Sequence, residues 1–198
     1  MAARASIIPF RPRPRKRKKL VSDAVLGMLL FVFVEIMLFA GFISAFVIIK
    51  ARAIGSVWPP PNQPRLPFEE TAVNTTALIA SGVVLLIAHR MFLKGNESVR
   101  RLLVAATLLG GMFVGLQGVE WLALIREGLT ITSSTYGALF YTVIGAHATH
   151  AVAAILALAW ATLRLARGTL TRDVLSAVAI FWYFVVLVWP FLYFVVYL

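Results

Sequence analysis

The sequence contains no cysteine. Disulfides, thiolate metal sites and thiol chemistry are therefore excluded together. It is also poor in charge. Asp, Glu, Lys and Arg make up 14% of its 198 residues, where a soluble domain carries about a quarter. Acidic residues are scarcer still, eight against nineteen basic ones, and there are three histidines. No catalytic triad of the soluble-enzyme kind and no phosphate-cradling glycine loop is visible. With so few groups able to do chemistry, each one that falls inside an apolar run carries information.

What is present is hydrophobic: 61% of the chain. The apolar residues form long runs separated by short charged stretches, which leaves no room for a separate soluble domain. This is the pattern of an all-α, polytopic membrane protein. A net charge of +11 raises the question of nucleic acid, but position answers it. Eight of the basic residues precede residue 20, most of them in "RPRPRKRKKL". A basic tail beside a membrane helix is explained by topology and anionic lipid, and no nucleic-acid partner is expected. No A-x-A-like site follows the first apolar run, which argues against a cleaved signal peptide.

The runs predict a basic cytoplasmic tail over 1–20 and a five-helix transmembrane domain over 21–198. The spans are Val21–Ile49, Thr71–Ala88, Leu102–Leu124, Tyr136–Leu163 and Val174–Leu198. Charge then sets the orientation. The tail holds eight Lys or Arg, the 89–101 loop four and the 164–173 loop three. The opposite side holds Lys50, Arg52, Arg65 and Arg126. The expectation is N-terminus in the cytoplasm and C-terminus outside. The proline-rich connector "ARAIGSVWPPPNQPRLPFEE" should be extended and stiff. Gly111, Gly115 and Gly118 share one face of the third span, as Gly41 and Ala45 do in the first. Such small-residue faces are expected to let helices approach closely in lipid.

The polar residues inside the spans are the candidate site. In "FVFVEIMLFAGF", Glu35 has only Phe31, Val32, Leu38 and Phe39 as helical neighbours. A carboxylate there costs at least a few kcal/mol, so Glu35 must be neutral, paired across a helix interface, or reached by water. His147 and His150, in "VIGAHATHAV", are three apart and share a face with Ala151 and Ala154. Either histidine could meet Glu35 across an interface. At that spacing they cannot be opposite axial ligands of one haem, and one carboxylate without cysteine makes a thin metal set. A hydrogen-bonded pair is favoured. Gln117 and Glu120 form a second polar pair near the end of the third span.

Several ordered motifs then resemble subunit III of the haem–copper oxidases, the cytochrome c oxidase type. "EIMLFAGFISAF" looks like that family's Glu-containing helix. The stretch "WPPPNQPRLPFEETAVNTTALIASGVVLLIAHR", ending at His89 and Arg90, is similar to its W-P-P … L-P … N-T … A-S-G … A-H. "LQGVEW" resembles L-Q-x-x-E-Y/W, and "YGALFYTVIGAHATHAV" and "FWYFVVLVWPFLYFVVYL" resemble its last two helical motifs. Two positions depart: Tyr183 stands for the family's His, and Val186 for its Asp. The familiar form has seven helices, and this chain lacks the first two.

The resemblance implies a five-helix, non-redox accessory subunit of a respiratory oxidase in a bacterial cytoplasmic membrane. No catalytic, cofactor-binding or metal-binding residue is expected in this chain. Haems and copper would reside in partner subunits, with subunit I in direct contact and subunit II and further respiratory subunits beyond. Bound phospholipid is expected. The role would be to support subunit I stability and proton uptake during O2 reduction. Glu35 corresponds to the family's buried Glu, the residue that reacts with a hydrophobic carbodiimide. Glu35, His147 and His150 form the main expected cluster; Gln117, Glu120, His89 and Tyr183 are secondary. A quinol oxidase subunit III and the accessory protein linked to nitric oxide reductase are alternatives within the same class. A freestanding proton-coupled transporter is the alternative of a different class.

Overall fold

The computed structural model describes residues 21–52, 58, 60, 63–96 and 98–197. The basic tail, eight residues of the proline-rich connector (53–57, 59, 61 and 62), Glu97 and Leu198 lie outside the described residues. A segment in hydrocarbon must satisfy its own backbone, and helices do so internally. Five follow: α1 Asp23–Arg52, α2 Phe68–Leu93, α3 Val99–Arg126, α4 Thr135–Ala166 and α5 Arg172–Tyr197. All five are long and apolar enough to cross a membrane, and the described residues contain no strand. The chain is a multi-pass, all-α membrane protein.

Most helices overrun their apolar spans by a turn or so. α2 begins at Phe68 rather than Thr71, with Glu69 and Glu70 in its first turn, where the helix dipole favours negative charge. The stops share one device. Gly95, Gly128 and Gly168 have positive φ. The following residue's N–H donates back to the last helical turn: Asn96 to Met91 O, Leu129 to Leu124 O and Thr169 to Arg164 O. This is the Schellman stop, which glycine enters without steric cost.

α2 and α3 form the most extensive pairing, and α5 packs on α1, α2 and α4. The centre is built around two tryptophans of α5, Trp182 and Trp189, both fully buried. Trp182 Nε1 donates to Ser81 Oγ at 3.1 Å, and Ser81 Oγ donates to Ala106 O at 2.7 Å. One indole thus links α5 to α2 and α3. Trp189 Nε1 donates to Thr75 Oγ1 at 2.8 Å, and Asn74 Nδ2 donates to Phe113 O at 3.0 Å. The Trp182 ring lies against Gly110, where an added Cβ would stand 2.6 Å from the ring. Val186, in place of the family's Asp, packs on Gly82 of α2.

The predicted small-residue faces pack against nothing among the described residues. An added Cβ at Gly41, Gly111, Gly115 or Gly118 would meet nothing within 4 Å. The glycine of α3 that meets another helix is Gly110, one position before the glycine face. One residue is about 100° of helix rotation, so Gly110 faces the bundle and Gly111 faces away. α1 is similarly outward. Of its thirty residues, Phe39 and Phe46 are buried; among the helices it packs on α5 and, slightly, on α4, and Phe46 also meets the ring of Trp58 at 6.2 Å.

Candidate functional site

The polar cluster predicted in the membrane divides into two. The first part joins α1 to α4. Glu35 Oε2 lies 3.0 Å from His150 Nε2. The other ring nitrogen, Nδ1, lies 2.7 Å from the carbonyl oxygen of Ala146, one turn back on α4. A carbonyl only accepts, so Nδ1 carries a hydrogen and donates. That settles what Nε2 can do. Either it is bare and accepts from a protonated Glu35, or it is protonated and donates to a Glu35 carboxylate. The contact holds one proton in either case, and the pair has no net charge. This answers why a carboxyl is tolerated among phenylalanines: the pair enters the membrane neutral as a unit, which removes most of the cost of an isolated charge.

Aromatic rings enclose that imidazole. Phe39 stands 5.4 Å from His150 centroid to centroid, and Phe181 and Phe184 each 6.3 Å. The side chains of His150 and Glu35 remain 16% and 14% exposed, so the pair sits at the rim of the bundle rather than in its centre.

His147 does not share this contact. It is buried, its ring 5.0 Å from that of Trp189, and its Nε2 has no hydrogen-bond partner among the described residues. The i,i+3 spacing placed both histidines on the inner side of α4; both rings meet Phe39 of α1, His147 at 6.2 Å and His150 at 5.4 Å between centroids, but His150 is the one that reaches Glu35. Ala151 and Ala154 are fully buried, as a narrow packing face requires.

The second part lies toward the α3–α4 connection. Glu120 Oε2 accepts from Thr71 Oγ1 and from Gln117 Nε2, each at 2.7 Å. Gln117 Nε2 also lies 3.3 Å from Tyr197 Oη. The expected pair Gln117–Glu120 is present, and Thr71 and Tyr197 complete it from α2 and α5. Sequence reasoning missed both. Their separations along the chain, 49 and 80 residues, leave no local signal.

The remaining secondary positions fall elsewhere. His89 Nε2 meets Ser176 Oγ at 3.0 Å, tying α2 to α5 near the opposite end. The Tyr183 hydroxyl is buried without a hydrogen-bond partner among the described residues. Its residue lines an apolar groove of about 500 Å³ between α1 and α5, with Val32, Ile36, Ile43, Leu187 and Phe191. Among the described residues, no group of three or more His, Asp or Glu could hold a metal ion.

Comparison with known proteins follows the same lines. The model of the family described as cytochrome c oxidase subunit III matches residues 16–198. A cytochrome c oxidase subunit 3 from Pelomedusa subrufa is 33% identical over 179 residues, covering 86% of this chain and 67% of its own length. One from Arabidopsis thaliana is 35% identical, covering 86% and 66%. One from Gadus morhua is also 35% identical, covering 86% and 67%. The chain thus spans about two thirds of the length of these curated relatives.

Proposed function

The chain belongs to the cytochrome c oxidase subunit III family, and from that premise we propose that it is an accessory subunit of a respiratory haem–copper oxidase. The observation that carries the reading is the family match over residues 16–198. In this reading the chain performs no redox step. Haems and copper reside in partner subunits, and this chain flanks the catalytic subunit in an energy-transducing membrane. The bacterial cytoplasmic membrane is the proposed location, with the more basic face, and so the N-terminus, in the cytoplasm.

Within that role the Glu35–His150 contact is a joint. Its hydrogen bond ties α1 to α4, while phenylalanines keep it from bulk water. An interhelical hydrogen bond in lipid contributes about 0.6 kcal/mol on average, enough to bias the seating of a helix with two buried residues. The apolar groove between α1 and α5 suits a phospholipid acyl chain, being long, apolar and open to the membrane side of both helices. Proton uptake by the catalytic subunit is then supported indirectly, by keeping the flank ordered and wetted as it should be.

The test is purification in mild detergent from native membranes. The expected result is co-purification with haem-bearing chains, with no Soret band or stoichiometric copper once this chain is separated from them. A chain that purifies alone and catalyses proton-coupled transport in vesicles would replace this reading with a transporter. A haem-bearing partner that oxidises quinol, or reduces nitric oxide, would keep the accessory role and change the complex.

A further inference from the structure

The joint between Glu35 and His150 leaves one polar atom over. Glu35 Oε2 makes the contact with Nε2. Glu35 Oε1 has no hydrogen-bond partner among the described residues, yet it is not one of their buried unpaired atoms. The side chain is 14% exposed, so Oε1 opens onto the outer surface of the bundle.

That surface lies deep in the membrane. Glu35 stands twelve residues after Asp23 and seventeen before Arg52, about 18 and 26 Å from the two ends of α1 at 1.5 Å per residue. The hydrocarbon layer is about 30 Å thick, which puts Oε1 well inside it. Glu120 differs in this respect. It stands six residues before the end of α3 at Arg126, within reach of interfacial water. Whichever partner of the joint holds the proton, Glu35 Oε1 stays an acceptor: the carbonyl oxygen of a neutral carboxyl, or half of a carboxylate. Left unpaired away from water, such an atom costs about 1–3 kcal/mol, and more if charged.

The chemistry of the place restricts what answers it. Acyl chains carry no donor, and the donors of a phospholipid lie in its headgroup. A transmembrane helix uses its backbone donors internally, so the donor must be a side chain of such a helix. The seam has room for one. α1 and α4 touch only slightly. Leu38, one turn from Glu35, is 42% exposed, and Thr149 and Ala153, a turn apart on α4 beside His150, are short and exposed. The Thr149 hydroxyl donates to Gly145 O, so it is already paired within its own helix.

We propose that the α1–α4 seam at Glu35 is the docking surface for a transmembrane helix of another oxidase subunit, one that presents a hydroxyl, amide or indole donor to Glu35 Oε1 at mid-membrane depth. The proposal rests on the accessory-subunit reading and names where the partner sits. Glu35 then pins three helices: α1 and α4 through Oε2, and the partner through Oε1.

The test is a cryo-EM map, at a resolution that places side chains, of the complex as it co-purifies in mild detergent. A donor side chain from another chain within hydrogen-bond distance of Oε1 is expected. With haem-bearing chains present, an empty seam, tail-like density or a second copy of this chain there would overturn the docking surface and leave the accessory role standing. Absence of haem-bearing chains would overturn the accessory role, and the assigned partner with it. A second arm places a photoreactive aromatic residue at position 38 or 153 in native membranes. Both are expected to form adducts with the same chain of the haem-bearing complex; adducts with lipid alone would overturn the proposal. Glu35→Gln keeps an acceptor and should keep the adduct yield. Glu35→Leu should lower it about threefold, the effect of one interhelical hydrogen bond of average strength. His150→Phe breaks the joint but keeps the acceptor, so it should lower the yield less. An unchanged yield in Glu35→Leu, or an equal loss in His150→Phe, would show that Oε1 does not seat the partner.

Discussion

α1 and α5 are both apolar membrane spans, yet they are used in opposite ways. Two of the thirty residues of α1 are buried, while eleven of the twenty-six in α5 are. α1 exposes Leu30, Phe33, Val34 and Met37 at 60% or more, whereas Trp182, Val185 and Trp189 of α5 are at 0%. Hydrophobicity does not separate them, because lipid solvates an apolar side chain as well as a protein interior does. What separates them is packing and polar contact. α5 is fixed by the indole N–H groups of Trp182 and Trp189 and by the close fit at Gly110. α1 is held by Phe39, Phe46 and one hydrogen bond to His150. The lesson is that in this fold the indole hydrogen bonds and the tight glycine contact mark the centre, and a comparably apolar helix without them lies at the periphery.

Substitutions should divide along the same boundary. Trp182→Ala empties the centre of the bundle and unlinks α5 from Ser81; loss of a buried Trp costs about 3–5 kcal/mol. Thermal unfolding of the purified assembly should fall sharply. Phe33→Ala on the outward face of α1, 62% exposed, should shift it little. Equal effects at the two positions would remove the distinction between the helices.

Gly110→Ala comes next. Its methyl would stand 2.6 Å from the Trp182 ring, and overpacking of this kind costs about 1–3 kcal/mol. Gly111→Ala, whose methyl meets nothing within 4 Å, should leave the stability of the chain's own bundle unchanged. If Gly111→Ala dissociates partner chains while Gly110→Ala unfolds this one, the glycine face belongs to the assembly and not to this chain's own bundle.

The joint at α1 should give the smallest change in stability. Glu35→Ala removes the bond to His150, worth about 0.6 kcal/mol on average for interhelical pairs in lipid. Protease accessibility of the α1–α2 connector should rise with little change in global unfolding. His150→Phe should do the same. A loss as large as that of Trp182→Ala would place α1 in the structural core.

Much of this organisation was legible in the sequence, for definite reasons. Five apolar runs gave five helices because hydrocarbon forces each run to satisfy its backbone locally. Glu35 announced a partner because a lone carboxyl in such a run is too costly, and the histidines were the available candidates. Which of the two it meets was not legible, since His147 and His150 share one face and only the tilt of α1 against α4 selects His150. The glycine spacing marked a face that meets nothing among the described residues: Gly111, Gly115 and Gly118 repeat clearly, whereas Gly110, which packs against Trp182, was not part of the repeat. Ser81, Thr71 and Tyr197 look unremarkable among their neighbours, and their roles arise from contacts across 49 to 101 residues. Helix ends drifted because the turns at Gly95, Gly128 and Gly168 extend each helix past its apolar stretch.

The most direct measurement is oxygen reduction by the assembled oxidase carrying Glu35→Gln. The glutamine amide donates to His150 Nε2 while His150 Nδ1 keeps its bond to Ala146, so the joint between α1 and α4 survives without an acid. The account predicts full assembly and initial turnover close to that of the unsubstituted complex, with at most a faster decline during sustained turnover. Immediate loss of oxygen reduction in a fully assembled, haem-replete complex would make Glu35 an obligatory proton carrier and contradict its role as a joint.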